Sequence, residues 1–296
     1  MRRRAVQALL LTLALGALGP LAACSGLSKL YGRQERGPEV AQAGGWSWDY
    51  LSAGAFDLAT AMKPGAAATG PDAVLTVYIE GDGLAYLTPT SPAADPTPTD
   101  PLALRLAQQH PGAGPVAYLA RPCQYVMPTR GRTCQVDYWT KARFAPEVVD
   151  SASAALDQLK ARSHAGRLVL VGYSGGGGLV ALLAERRADV VGLVTVAGNL
   201  DVGLWVQTLE LAPLSASLDP VTDAAKLSRL PQVHFNGAND KVIDGAIARS
   251  FVAHQPQPAS ARIVTVPGQD HNCCWAKAWP DLSRRAELKA IPGWLP

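Results

Sequence analysis

No segment of this chain repeats another, so an architecture of stacked repeats is excluded. Nor does it hold a real charge excess. The 27 basic and 24 acidic residues give +3, but Arg2, Arg3 and Arg4 sit in a leader-like stretch, and without them the two signs balance. With no basic stripe and no aromatic–basic interleaving, the chain is not organised to bind nucleic acid. Metal-ligand spacing is missing as well: the five cysteines form no paired CxxC motifs and no HxxxH stands near them. Nothing in the residues calls for a cofactor. The apolar run Ala5–Leu18 falls short of the roughly 20 residues a membrane helix needs. Behind three arginines, it reads as the h-region of a secretory signal.

Just beyond that run stands "LAAC", Leu21 to Cys24. It resembles the lipobox of bacterial lipoproteins, in which the cysteine is diacylated and becomes the new N-terminus. The resemblance implies a signal peptide over 1–23 and a lipid on Cys24. Ser25, next in the chain, implies sorting to the outer membrane, facing the periplasm. The expected location is therefore the bacterial cell envelope, with the membrane as partner through the N-terminal lipid. The polar, glycine-rich stretch 24–45 reads as a flexible tether.

An oxidising compartment leaves Cys123, Cys134, Cys273 and Cys274 available for disulfides, with three pairings open. Cys123–Cys134 closes a short loop, worth about 3 kcal/mol in a chain-entropy account. Cys273 and Cys274 are adjacent and would form a vicinal bond.

Residues 46–296 read as one domain. "WSWDYLSAGAFDLATAM" alternates as one or two antiparallel strands, and "AVLTVYI" (73–79) is an apolar β-branched run that suits a buried strand. The five prolines from Pro89 to Pro101 mark a surface loop. Beyond it, strand and helix alternate: a helix over 145–163, a strand over 167–172, a glycine-rich helix, then a strand over 190–198. After an irregular stretch come strand "QVHFNG", a helix, strand "ARIVTVPG" and a last helix from about Lys277. That order predicts an α/β fold, a mostly parallel central sheet with helices on both faces.

At the centre lies "VGYSGGGGLV", residues 171–180. A phosphate loop of the Walker type would need a lysine that is absent here. Gly176, Gly178 and Ala181 satisfy the dinucleotide spacing G-x-G-x-x-A, with Asp201 roughly where a ribose-binding acid would stand. Gly172, Ser174 and Gly176 equally satisfy G-x-S-x-G, which lifts a serine on a strand-to-helix turn and aims helix amides at developing negative charge. A serine needs a base. Of the five histidines, His271 alone stands just beyond the last strand, and the order Ser174…Asp240…His271 suits nucleophile, acid and base. Dinucleotide binding explains neither late residue, so the nucleophile reading is preferred.

These motifs together resemble the α/β-hydrolase superfamily over nearly the whole chain after the tether. "VYIEGDG" is similar to a strand ending in an oxyanion loop, with Glu80 in the usual histidine place. "GYSGG" is similar to the nucleophile elbow, "NGANDKV" to the acid turn and "GQDHNCCW" to the histidine loop. "EGDG", "ARPCQY" and "GYSGGG" further resemble a group of bacterial hydrolase-like lipoproteins.

The resemblance implies an α/β-hydrolase fold with a small cap over about 199–231. Trp139, Trp205 and Trp275 are candidates either for lining the cleft or for the core. The same resemblance implies Ser174 as nucleophile, His271 as base and Asp240 as its orienting acid, with Asp201 a second candidate and Asp270 a poorly placed third. The backbone N–H of Gly175 would be one oxyanion donor, and that of Asp82 or Gly83 the other. The expected activity is a serine hydrolase acting on a small-molecule ester or acyl substrate. A peptidase or thioesterase of the same fold, and a non-catalytic binding lipoprotein, are the alternatives.

Overall fold

The protein is described by a computed structural model over residues 32–65, 70–256 and 260–295. The signal reading of 1–23 and Cys24 itself lie outside the described residues. The described residues open on helix α1 (Arg33–Ala43) and an antiparallel hairpin, β1 (Ser47–Ala53) and β2 (Phe56–Met62). Then come β3 (Gly70–Ile79), a two-stranded ribbon of β4 (Tyr86–Thr88) and β5 (Ser91–Pro92), helix α2 (Leu102–Gln108) and β6 (Val116–Leu119). The second half runs α3 (Pro146–Ser163), β7 (Ala165–Tyr173), α4 (Gly175–Ala184), β8 (Val190–Val196), α5 (Val202–Thr208) and β9 (Gln232–Gly237). It ends with α6 (Gly245–Ala253), β10 (Ala261–Val266) and α7 (Trp275–Leu282).

Eight strands form one sheet in the order β1-β2-β6-β3-β7-β8-β9-β10. From β6 to β10 every neighbouring pair is parallel, while β2 is antiparallel to both β1 and β6. Because strand side chains alternate between faces, each strand feeds two cores. Leu75, Val77, Ile79, Leu168 and Leu170 face one core together with residues of α3, α4 and α6. Tyr78, Val169, Val171, Val194 and Phe235 face the other, with α2, α7 and Trp294. Helices on both sides bury β9 at all six positions, its polar Gln232, His234 and Asn236 included.

The expected tether needs correction. Part of it, Arg33–Ala43, is helix α1, and it packs on the domain with Arg33, Val40 and Ala41 buried. Polar composition and an internal Pro38 hide this helix in the sequence; contacts from elsewhere hold it, including Gln108 Nε2–H to the Val40 carbonyl at 2.8 Å. Among the described residues no helix is long and apolar enough to cross a membrane.

Candidate active site

Ser174 stands between β7 and α4 with φ 52° and ψ −122°, a backbone that costs a residue with a Cβ about 1–3 kcal/mol. The turn is closed tightly around it. A Cβ at Gly172 would run into the main chain of Gly176 and Gly177, and one at Gly176 into the carbonyls of Ile79 and Glu80. Glycine spacing thus lets strand and helix approach closely enough to present the serine at the end of the sheet.

His271 comes to Ser174 from the loop after β10. Its Nε2 lies 2.9 Å from Ser174 Oγ and its Nδ1 lies 2.9 Å from Asp240 Oδ2. A carboxylate only accepts, so Nδ1–H donates to Asp240, leaving Nε2 to accept from the serine hydroxyl. Asp240 follows β9, and its side chain is wholly buried. Its other oxygen accepts from the Val242 and Ile243 amides, both at 2.8 Å. The ring is held from outside too: Tyr173 stacks on it at 5.6 Å, and the Tyr173 hydroxyl donates to the His271 carbonyl at 2.9 Å.

The other candidate acids are engaged elsewhere. Asp201 caps α5, accepting from the Leu204 amide at 2.8 Å, and takes the Ser250 hydroxyl at 2.6 Å. Asp270 accepts from the Cys273 and Asn272 amides at 2.7 and 2.8 Å, which hold its carboxyl below the ordinary range.

Opposite the histidine lies the loop after β3. Glu80 Oε1 accepts from the Gly81 amide at 3.0 Å and the Ala103 amide at 3.3 Å. Burial pushes the Glu80 carboxyl up to about 7, against the pull of those two amides. Gln124 Nε2–H donates to the Gly81 carbonyl at 2.9 Å. With the Gly81 amide taken by Glu80, the amides of Asp82 and Gly83 are the ones this loop can offer to a ligand. The Gly175 amide, first in α4, has no acceptor within its own helix.

The Asp82 carboxylate turns onto two arginines, Arg143 Nη1 at 2.6 Å and Arg121 Nη1 at 3.2 Å. Burial alone would raise its pKa; the two guanidiniums outweigh that and hold it below the usual carboxylate range.

A cavity of about 420 Å³ opens over Ser174. Glu80 to Leu84, Pro98 to Asp100, Leu102, Tyr173 and the His271 turn line it. The 199–231 insertion contributes none of that lining. It folds as α5 and a 3₁₀ segment, Pro220–Leu227, packed on α4 and α6, and its Leu218 amide donates to the Phe144 carbonyl. The proline-rich loop is the wall instead. Trp139, Trp205 and Trp275 are core residues, at 6%, 9% and 0% exposure.

Cys123 pairs with Cys134, and Cys273 with Cys274. The first bridge fastens the turn that also carries Arg121 and Gln124. Those two residues, with Arg143, are site components that the sequence does not reveal. "RPCQY" stands out as a motif without a role, and Arg143 has no local pattern to mark it.

No protein-family profile matches the chain, and no curated protein does. Solved structures match it in fold. An α/β serine hydrolase without a lid, from Xanthomonas campestris, superposes with a TM-score of 0.52 at 16% identity, over 85% of this chain and 95% of that one. Est1E from Butyrivibrio proteoclasticus gives 0.57 at 12% identity, over 82% and 98%. A puromycin-hydrolysing peptidase of Mycobacterium tuberculosis gives 0.55 at 14% identity, over 84% of this chain and 40% of that one. The chain has the α/β-hydrolase fold.

Proposed function

We propose that the protein is a serine hydrolase that cleaves carboxylic esters through an acyl-enzyme on Ser174. The observation that carries this reading is the continuous contact Ser174–His271–Asp240, two links of 2.9 Å each, opening on a cavity. Ser174 Oγ attacks the ester carbonyl carbon as its proton passes to His271 Nε2. The tetrahedral intermediate collapses, and the same proton leaves on the departing alcohol. Water then enters, gives a proton to His271 and attacks the acyl carbon, releasing the acid and restoring the serine. Asp240 keeps Nδ1 protonated and stabilises the imidazolium between these steps. The Gly175 and Asp82 amides serve the oxyanion, each donor worth about 10²–10³ in rate. Leu84, Pro98 and Leu102 give the cavity an apolar side suited to a small-molecule acyl or alcohol group.

A fluorophosphonate probe tests the reading. It should label the purified protein at Ser174, and Ser174→Ala should abolish both labelling and p-nitrophenyl ester hydrolysis. Labelling that survives the substitution would place the active serine elsewhere; no labelling of the wild type would favour a binding protein.

We also propose that a lipid on Cys24 holds the protein at the outer membrane, facing the periplasm. The support is the "LAAC" motif behind a basic and apolar leader.

A further inference from the structure

A carboxylate beside an oxyanion site is an electrostatic liability, and Asp82 is such a carboxylate. A Cβ built on Gly175 would collide with its oxygens, so it lies against the residue whose amide opens α4. Asp82 and His271 line the same cavity. Left alone, its charge would oppose the negative charge that grows on a substrate carbonyl during attack.

It is not left alone. Arg143 and Arg121 take one oxygen each, at 2.6 and 3.2 Å, and their side chains are only 7% and 5% exposed. Both guanidiniums are fixed in turn. Arg143 Nε–H donates to the Thr140 carbonyl at 2.9 Å, and its guanidinium carbon lies 5.6 Å from the Trp205 ring centroid. Arg121 Nη2–H donates to the Arg143 carbonyl, and its guanidinium lies 5.1 Å from the Phe144 ring centroid. Neither arginine lines the cavity. Two positive charges against one negative leave the cluster of Asp82, Arg121 and Arg143 with one net positive charge.

Resting on the acyl-enzyme reading above, we propose that Arg121 and Arg143 are positioning residues for ester cleavage. They draw the Asp82 carboxylate aside and over-neutralise it, so that its own main-chain amide faces a cavity wall that tolerates developing negative charge. The arginines act through Asp82 and never touch substrate.

The test varies the net charge of the cluster in the full-length protein, with p-nitrophenyl acetate as substrate and Tm measured alongside. Arg143→Gln brings the cluster to zero, and kcat should fall about tenfold with KM within about twofold, less than the loss of an oxyanion donor outright. Arg143→Lys keeps the charge but not the planar fork, so Tm should fall while kcat stays within about threefold. Asp82→Asn combined with Arg143→Gln restores one net positive charge and should recover most of the lost kcat. Where Arg143→Gln does not fold, Arg121→Gln, whose contact is longer, gives the same reading.

A merely structural ion pair would make kcat follow Tm across the set. An unaltered kcat in the glutamine variant would overturn the proposal. So would a lysine variant as slow as the glutamine one, or a double variant that recovers nothing. Wild-type turnover and Ser174 labelling are measured first: their absence overturns the acyl-enzyme reading, and this inference with it. An active, labelled wild type beside an indifferent Arg143→Gln overturns the inference alone.

Discussion

Asp240 and Asp201 carry the same carboxyl group, and only their surroundings separate them. One faces the His271 ring; the other caps α5 and holds the Ser250 hydroxyl. Asp240→Asn should therefore lower kcat by up to about 10⁴ while the fold persists, because the amide favours the wrong imidazole tautomer. Asp201→Asn should keep kcat and cost about 1 kcal/mol or less of stability, since asparagine still caps. Both are read on a p-nitrophenyl ester, side by side. Activity lost in the Asp201 variant and kept in the Asp240 variant would reverse the roles.

Glu80 is the second residue whose environment sets its behaviour. Burial raises its pKa from about 4.5 to about 7. Between those values the folded protein keeps a proton that the unfolded chain has released. Stability from this group therefore falls as pH rises through the window, by about 3 kcal/mol in all. Glu80→Gln keeps an oxygen for the Gly81 and Ala103 amides and has no proton to lose. The difference in Tm between variant and wild type should therefore grow in the variant's favour from pH 4.5 to 7. Parallel Tm–pH curves would refute the raised pKa.

At the scale of elements, α1 changes how the site is held. Arg33 donates to the Thr97 and Asp95 carbonyls at 2.7 and 3.2 Å, and Gln34 Nε2–H reaches the Asp95 carboxylate at 2.8 Å. These contacts clamp the loop that continues into Pro98, Thr99 and Asp100 on the cavity wall. A chain beginning at residue 46 should therefore melt below one beginning at residue 32, by roughly 5 °C for the loss of about 2 kcal/mol of packing. Equal melting temperatures would return this segment to the role of a passive tether. The same loop is legible as irregular from its five prolines, but its position over Ser174 is not. A cluster of prolines disfavours a helix interior or a central strand; it does not say which surface the loop covers.

For the whole molecule, the sheet sets where chemistry is proposed to occur: the carboxyl ends of β3, β7, β9 and β10 bring the oxyanion loop, serine, acid and histidine to one edge. Its proposed attachment belongs to the same scale. Mass spectrometry of the N-terminal peptide should find a diacylglyceryl-type adduct on Cys24. An unmodified mature chain that begins at another residue and is released to the soluble periplasm would sink the anchor.

By itself the sequence determined the alternation of strands and helices in the second half of the chain, since apolar runs between turn residues need no distant partner to be recognised; the polar α1 escaped it. It also marked the serine turn, because a strand, G-x-S-x-G and a helix are contiguous in the chain. Only the tertiary structure decided which carboxylate meets His271, which loop walls the cavity and which charges surround Asp82. The physical reason is the same in each case. Asp240 and His271 are 31 residues apart, Asp82 and Arg143 are 61 apart, and Arg33 and Thr97 are 64 apart. No periodicity links such pairs; they meet because a twisted parallel sheet gathers its loops at one edge.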